Sequence, residues 1–259
     1  MDKEEWLTGG NVNNVFRSGH TVRREQHPNS HRIHRLLKHL ENKKFSYAPK
    51  YYGIDEKGRE ILSYIEGEAG NYPLQPYMWS DDALTGIAKM LRHYHNAVSD
   101  FTFDEDWQPL DLTPEPKEVI CHNDFAIYNI IFKDNKPAGI IDFDVAAPGP
   151  RGWDAAYTLY TSCPLSRFYV TPTGDKVYYR SNHHADRIKR RVQLFKSAYG
   201  EPFDDSLEIV VLRLEGLCKT MRRKADEGVP AFQKMIKEGH LEHYQQDIQF
   251  VREHKDEWI

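Results

Sequence analysis

Apolar residues recur along this chain with two different periods. Near the start they come in short alternating runs: residues 14–17 and 21–24 read as two strands joined across Ser18-Gly19, a hairpin signal. Ile33, Leu36, Leu37 and Leu40 then share one helix face, with Asn29 or Ser30 placed to cap it. The run KYYGIDEKGREILSYIEG (50–67) predicts a second hairpin turning over 56–59, with Gly58 in the turn. Together these predict a small antiparallel sheet carrying one helix.

The pattern changes after Gly67. Residues 67–76 are rich in Gly and Pro and read as a connector. Ser80 is placed to cap a helix whose first turn holds Asp81 and Asp82, suited to the positive end of the helix dipole. Its apolar face is Leu84, Ile87, Leu91, Tyr94 and Val98. Residues 101–117, with Pro109, Pro114 and Pro116, read as a loop. From about 183 the helical period returns, broken near 200–202, 228–230 and 239. Between loop and helices lies an island of strand at 118–121, 129–133 and 138–141, the last running into Asp142-Phe143-Asp144. The expected fold is α+β: a small β-rich N-terminal lobe over residues 1–66 and a larger, mainly helical C-terminal lobe over 67–259.

Composition narrows the function. The net charge of −4 gives no overall basic field for nucleic acid. No apolar stretch is long enough to span a bilayer, and the first ten residues carry no signal-peptide pattern. Cys121, Cys163 and Cys218 are far apart and form no CxxC pair, so they read as reduced thiols of a cytoplasmic protein. Nothing in the sequence implies a protein partner.

The chemistry sits on the island. Antiparallel pairing of 129–133 with 138–141 brings Asn129 and Asp142 to the same end of a hairpin, and Asp124 lies on the turn just before. Three oxygen-bearing side chains at the edge of buried strands suit Mg²⁺, which takes one or two carboxylates and completes its shell with substrate phosphates.

His122-x-Asp124-x₄-Asn129 followed by Asp142-Phe143-Asp144 resembles the core of the aminoglycoside phosphotransferase and choline kinase-like family, with its protein-kinase-like two-lobed fold. The likeness continues through APGPRGWDAAY, with Gly149 and Asp154, and back to Leu7-Thr8-Gly9-Gly10-x₂-Asn13 and ILSYIEGE (61–68). It covers roughly the first 160 residues. The resemblance implies a kinase that moves the γ-phosphate of ATP, with GTP left open, to the hydroxyl of a small molecule. It implies that Asp124 takes or orients the acceptor proton, that His122 holds the turn, that Asn129 and Asp142 hold the metals, and that Asp144 either aids the second metal or caps the chain after Phe143. It implies a nucleotide covered by Gly9, Gly10 and Asn13 and met at its adenine edge by the backbone of Ser63, Tyr64 and Ile65. The lysine common on the third strand of kinases is absent. Strand alternation puts Val22 and Arg24 on one face, so Arg24 is expected at the phosphates, with Arg23 second. Its usual acidic partner on the following helix is missing, since no acid occurs there before Glu41.

Other readings stand beside this one. A nucleotide-binding pseudokinase would keep these residues without transfer. A metal-dependent phosphohydrolase would need further His or Asp ligands from other segments. Asp154 is expected to cap a helix rather than do chemistry, and adjacent His183 and His184 point different ways on a helix.

Overall fold

The computed structural model describes residues 4–7, 15–200 and 206–259. The first strands are β1 (Glu5–Leu7), β2 (Val15–Ser18) and β3 (Thr21–Arg24), followed by helix α1 (Ser30–Asn42), β4 (Tyr51–Ile54) and β5 (Glu60–Ser63). The five strands form one antiparallel sheet in the order β1-β2-β3-β5-β4. Both expected hairpins are present, and their pairing sets Val22 opposite Leu62 and Arg24 opposite Glu60. Helix α1 buries Ile33, Leu36, Leu37 and Leu40. Its cap differs from expectation: Asn29 makes no side-chain cap bond, and the Ser30 hydroxyl accepts from the His27 N–H (2.9 Å) outside the helix.

Next come β6 (Glu68–Ala69), α2 (Asp81–Ala97), β7 (Val119–Cys121), β8 (Ile130–Lys133), β9 (Lys136–Ile140), β10 (Ala147–Gly149), α3 (Arg151–Ser162), β11 (Phe168–Val170), β12 (Lys176–Tyr178), α4 (Ser181–Tyr199), α5 (Ser206–Asp226), α6 (Pro230–Lys237) and α7 (His240–His254). Ser80 caps α2 as expected, accepting from the Ala83 N–H at 3.1 Å. The predicted face of α2 is buried throughout, each such side chain contributing roughly 1.5–3 kcal/mol. The small β-sheet region and the helical region are therefore as the periodicity predicts.

Three details differ. The connector at 67–76 contributes β6, which adds to β8 and so extends the β8–β9 hairpin to three strands. The strand at 119–121 pairs with β10 instead of with its sequence neighbours. A further hairpin, β11–β12, lies before α4, where no strand is expected. Gly70 shows why the connector is glycine-rich: a side chain there would run into the Ile127 carbonyl. Among the described residues no helix is long and apolar enough to cross a membrane, and the three cysteines are buried and free.

Candidate active site

The segment 122–129 leaves β7 and enters β8 through a short 3₁₀ turn, Ile127–Asn129. Two backbone amides at its start are tied to one carboxylate. Asp154, fully buried on α3, accepts from the N–H groups of His122 (2.7 Å) and Asn123 (2.8 Å) and from His95 Nε2 (3.1 Å). Burial pushes the Asp154 carboxyl up, but the bonds and charge of His95 and His122 outweigh it, so the group titrates below the usual carboxylate range. Asp154 therefore neither caps α3, whose N-cap residue is Pro150, nor faces the cleft; it pins the turn. Asn123, held at a left-handed φ of 64°, accepts from the Trp153 indole (3.0 Å). His122 is buried too. Its Nδ1 accepts from the Asp124 N–H at 3.3 Å, and its ring lies 4.4 Å from that of Phe143. Burial holds its pKa down, which suits a neutral ring that shapes the loop.

Beyond this pinned turn the polar side chains gather. Asp124 Oδ2 accepts from Asn129 Nδ2 (2.7 Å), which also donates to the Asp124 carbonyl (3.0 Å). The Asn129 amide thus spends its nitrogen on Asp124, and its oxygen is the end left for a cation. Asp124 Oδ1 accepts from the Tyr128 hydroxyl at 2.6 Å, and Tyr128 in turn meets the Tyr157 hydroxyl at 3.0 Å. Desolvation raises the Asp124 pKa against these bonds. The β8–β9 pairing, closed by Ile141 N–H to Asn129 C=O at 3.0 Å, sets Asp142 next to Asn129 as expected. Asp142 adopts a φ of 67° and is solvent-accessible, yet protein crowds its carboxyl from below. That crowding, with the like charges of Asp144 and Asp124, pushes its pKa up to about 7. A carboxylate so crowded by its own kind suits a cation. Among the described residues no three His, Cys, Asp or Glu side chains cluster tightly enough to hold a metal alone. Mg²⁺ does not need such a cage when phosphates supply the remaining oxygens, so Asp142 and the Asn129 oxygen fit it.

The N-terminal sheet faces this cluster with an ionic group. Arg24 projects from β3, and its Nε pairs with Glu60 across the β3–β5 register. Its two Nη atoms grip both oxygens of Asp144, at 2.9 and 2.6 Å. Glu60 is completely buried and is held on its other side by His34 Nε2 of α1 (2.6 Å). The missing acidic partner is therefore on the neighbouring strand, and α1 supplies a histidine instead. Arg23 points to the opposite face, toward Thr21 (2.6 Å) and Asp55 (3.8 Å). Val22 packs partly buried against the core. At the edge of the sheet, the Ser63 N–H goes to the Lys50 carbonyl and the Tyr64 N–H to the His20 carbonyl, while the Ile65 side chain rests on Gly139. Gly9, Gly10 and Asn13 lie outside the described residues.

On the far side of Asp124 the neighbours are phenols and an arginine. Tyr244 of α7 lies near Tyr157 and Asp124, and burial pushes its phenol up. Arg213 of α5 is buried, donates to the Asn123 carbonyl (2.6 Å) and lies 4.7 Å from the Tyr157 ring centre. An apolar cavity of about 330 Å³ lies elsewhere, between the β11–β12 hairpin and α4, and shares no lining residue with the Asp124 cluster.

Residues 98–195 match the family described as "Phosphotransferase enzyme family". That stretch carries the whole His122–Asp154 constellation. The resemblance to the aminoglycoside phosphotransferase and choline kinase family holds. Among solved structures, the choline/ethanolamine kinase family protein of Mesorhizobium loti superposes with a TM-score of 0.57 at 16% identity, covering 96% of this chain and 92% of that one. The GDP complex of aminoglycoside 2′-phosphotransferase-IIIa gives 0.59 at 16% identity, covering 95% and 92%. Amicoumacin kinase hAmiN, in complex with AMP-PNP, Ca²⁺ and Ami, gives 0.62 at 12% identity, covering 91% and 88%. These likenesses establish a kinase-like fold. A curated relative, the trifolitoxin immunity protein of Rhizobium leguminosarum bv. trifolii, is 40% identical over 172 residues, 64% of this chain and 64% of its own length. The chain thus spans less than two thirds of that relative.

Four residues of this phosphotransferase-like site escape the sequence reading: Glu60, Asp154 as a pin, Tyr128 and Arg213. Only Glu60 leaves a legible signal. It falls in phase with Leu62 on an alternating strand, and so faces inward with Arg24.

Proposed function

We propose that this protein transfers the terminal phosphate of ATP, or of GTP, to a hydroxyl of a small molecule with the help of Mg²⁺. The observation that supports it most is the joint placement of Asp124, Asn129 and Asp142 at one end of the β8–β9 hairpin, below an arginine from β3. Asp124 would accept or orient the acceptor proton on the oxygen now bonded to Tyr128. The Asn129 oxygen and Asp142 would hold the metal, which when bound neutralises the phosphates. Arg24 would meet those phosphates, and the peptide beyond Tyr64 the purine edge, because the N–H groups of Ser63 and Tyr64 are spent within the sheet. Residues 1–66 would form the nucleotide lobe and 67–259 the catalytic and acceptor lobe.

The acceptor side favours a molecule with few positive charges. A polycation wants carboxylates, whereas Asp124 is flanked by Tyr128, Tyr157, Tyr244 and Arg213. Of the acids on α5, Glu215 pairs with Arg252, and Glu227, just past its end, pairs with Arg223 and Lys224. The curated relative is named for immunity to a toxin, and two structural neighbours are named as an aminoglycoside phosphotransferase and an amicoumacin kinase. We therefore infer a hydroxylated toxin or antibiotic, and not a polycationic aminoglycoside, as the acceptor.

The test is ADP release and phosphomonoester formation across a panel of neutral hydroxylated antibiotics, aminoglycosides, choline and homoserine, with the Asp124→Asn variant beside the parent. Turnover with a neutral acceptor that Asp124→Asn abolishes supports the reading. Turnover restricted to polycations refutes the acceptor class. Nucleotide binding with no turnover on any acceptor favours the pseudokinase, and phosphate release from monoesters without nucleotide favours a phosphohydrolase.

A further inference from the structure

We propose that Asp144 is a latch on Arg24, which the nucleotide and its metal open together; this rests on the phosphotransfer reading of the cleft. An arginine binds phosphate through the two-pronged end of its guanidinium. Here that end is taken. Both Nη atoms bond the two Asp144 oxygens, and the Nε is used by Glu60. A triphosphate cannot take the fork until one carboxylate lets go.

The surroundings decide which one yields. Glu60 is completely buried and is fixed by His34 from behind, whereas Asp144 is one-quarter exposed on the chain that follows Phe143. Asp144 also lies close to Asp142, a like charge. With a divalent cation held at Asp142, Asp144 would be attracted instead of repelled and would release Arg24. The phosphates then take the vacated fork. Among the described residues, His27 also faces the latch, with Nε2 3.6 Å from Asp144. Glu60 and His34 are positioning residues: they hold Arg24 in place while its second partner is exchanged.

Two carboxylates on one arginine thus have opposite consequences for nucleotide binding. AMP-PNP affinity is measured by titration calorimetry in EDTA and in Mg²⁺ for the parent, Asp144→Ala, Asp144→Asn and Glu60→Gln, each checked for folding by thermal melting. Asp144→Ala should bind metal-free AMP-PNP tighter than the parent by roughly five- to a hundredfold, the range of ordinary coupling between sites. Its gain from Mg²⁺ should shrink. Asp144→Asn, which loses the charge but keeps an acceptor, should fall between, and it serves alone if the alanine variant does not fold. Glu60→Gln should weaken binding in both buffers. Unchanged or weaker metal-free affinity in the Asp144 variants overturns the latch, as does a loss confined to Mg²⁺, which marks an ordinary metal ligand. A parent that binds no AMP-PNP in either buffer refutes the phosphotransfer reading itself.

Discussion

The two walls of the cleft are built from different chemistry. The wall under the N-terminal sheet is made of full charges: Arg24, Glu60 and Asp144, with His34 behind. The wall on α3, α5 and α7 is made of phenols chained to Asp124, with a single buried arginine. Charges held by charges can be exchanged for a triphosphate and a metal at modest net cost, because each departing partner is replaced by another. Phenols offer ring faces and neutral hydroxyls, which suit a body that brings little charge of its own. In the function proposed above, the first wall would take the nucleotide and the second an uncharged guest, with Asp124 between them.

This contrast can be broken from either side. The largest effect is expected at the meeting point: Asp124→Asn should lower kcat by about 10²–10⁴-fold in the acceptor-dependent ADP assay while leaving AMP-PNP affinity nearly intact. On the charged wall, Glu60→Ala leaves Arg24 and His34 facing a buried void and should cost about 3–5 kcal/mol in urea unfolding. On the neutral wall, Tyr157→Phe removes one hydroxyl from the chain and should cost only about 0.5–1.5 kcal/mol. Equal losses at the two positions would erase the distinction.

Protons should also tell the walls apart. The Asp142 carboxyl, at about 7, must lose its proton to bind a cation. Mg²⁺-supported AMP-PNP binding should therefore strengthen as pH rises through about 7, by up to about tenfold per unit on the acid side, and Asp142→Asn should flatten the profile. Without a cation the sign reverses for folding. A carboxyl raised above its unfolded value stabilises the fold at low pH and loses that contribution as pH rises through the folded pKa. The melting temperature of metal-free protein should accordingly fall between about pH 4 and 7, and Asp142→Asn should remove that part of the fall.

Much of this architecture is written locally in the sequence. The two hairpins, the α2 face from Leu84 to Val98 and the breaks near Gly200, Gly228 and Gly239 follow from periodicity and turn residues, which act over a few positions. So does the meeting of Asn129 with Asp142, because one tight turn at 134–135 joins their strands. What escapes is set by distant partners. β10 is a strand because Ala147–Gly149 meets Val119–Cys121, although Pro148 within it argues against one. Asp154 looks like a cap, since acids suit a first helical turn, and only the fold shows His122 and Asn123 above it. The partner of Arg24 is sought on the helix, where kinases carry it, while the register places Glu60 directly opposite. The β11–β12 hairpin is different: the TPTGD turn between FYV and KVY is a local signal that the helical reading of this half of the chain passes over.

The central claim is that Asp142, Asn129 and Arg24 together hold a metal-bound nucleotide beneath the sheet. Calorimetric titration of AMP-PNP into the protein in Mg²⁺, compared with Asp142→Ala, tests it most directly. One nucleotide per chain, with binding largely lost in the variant, is the predicted result; no binding to the parent, or equal binding to both, would contradict it.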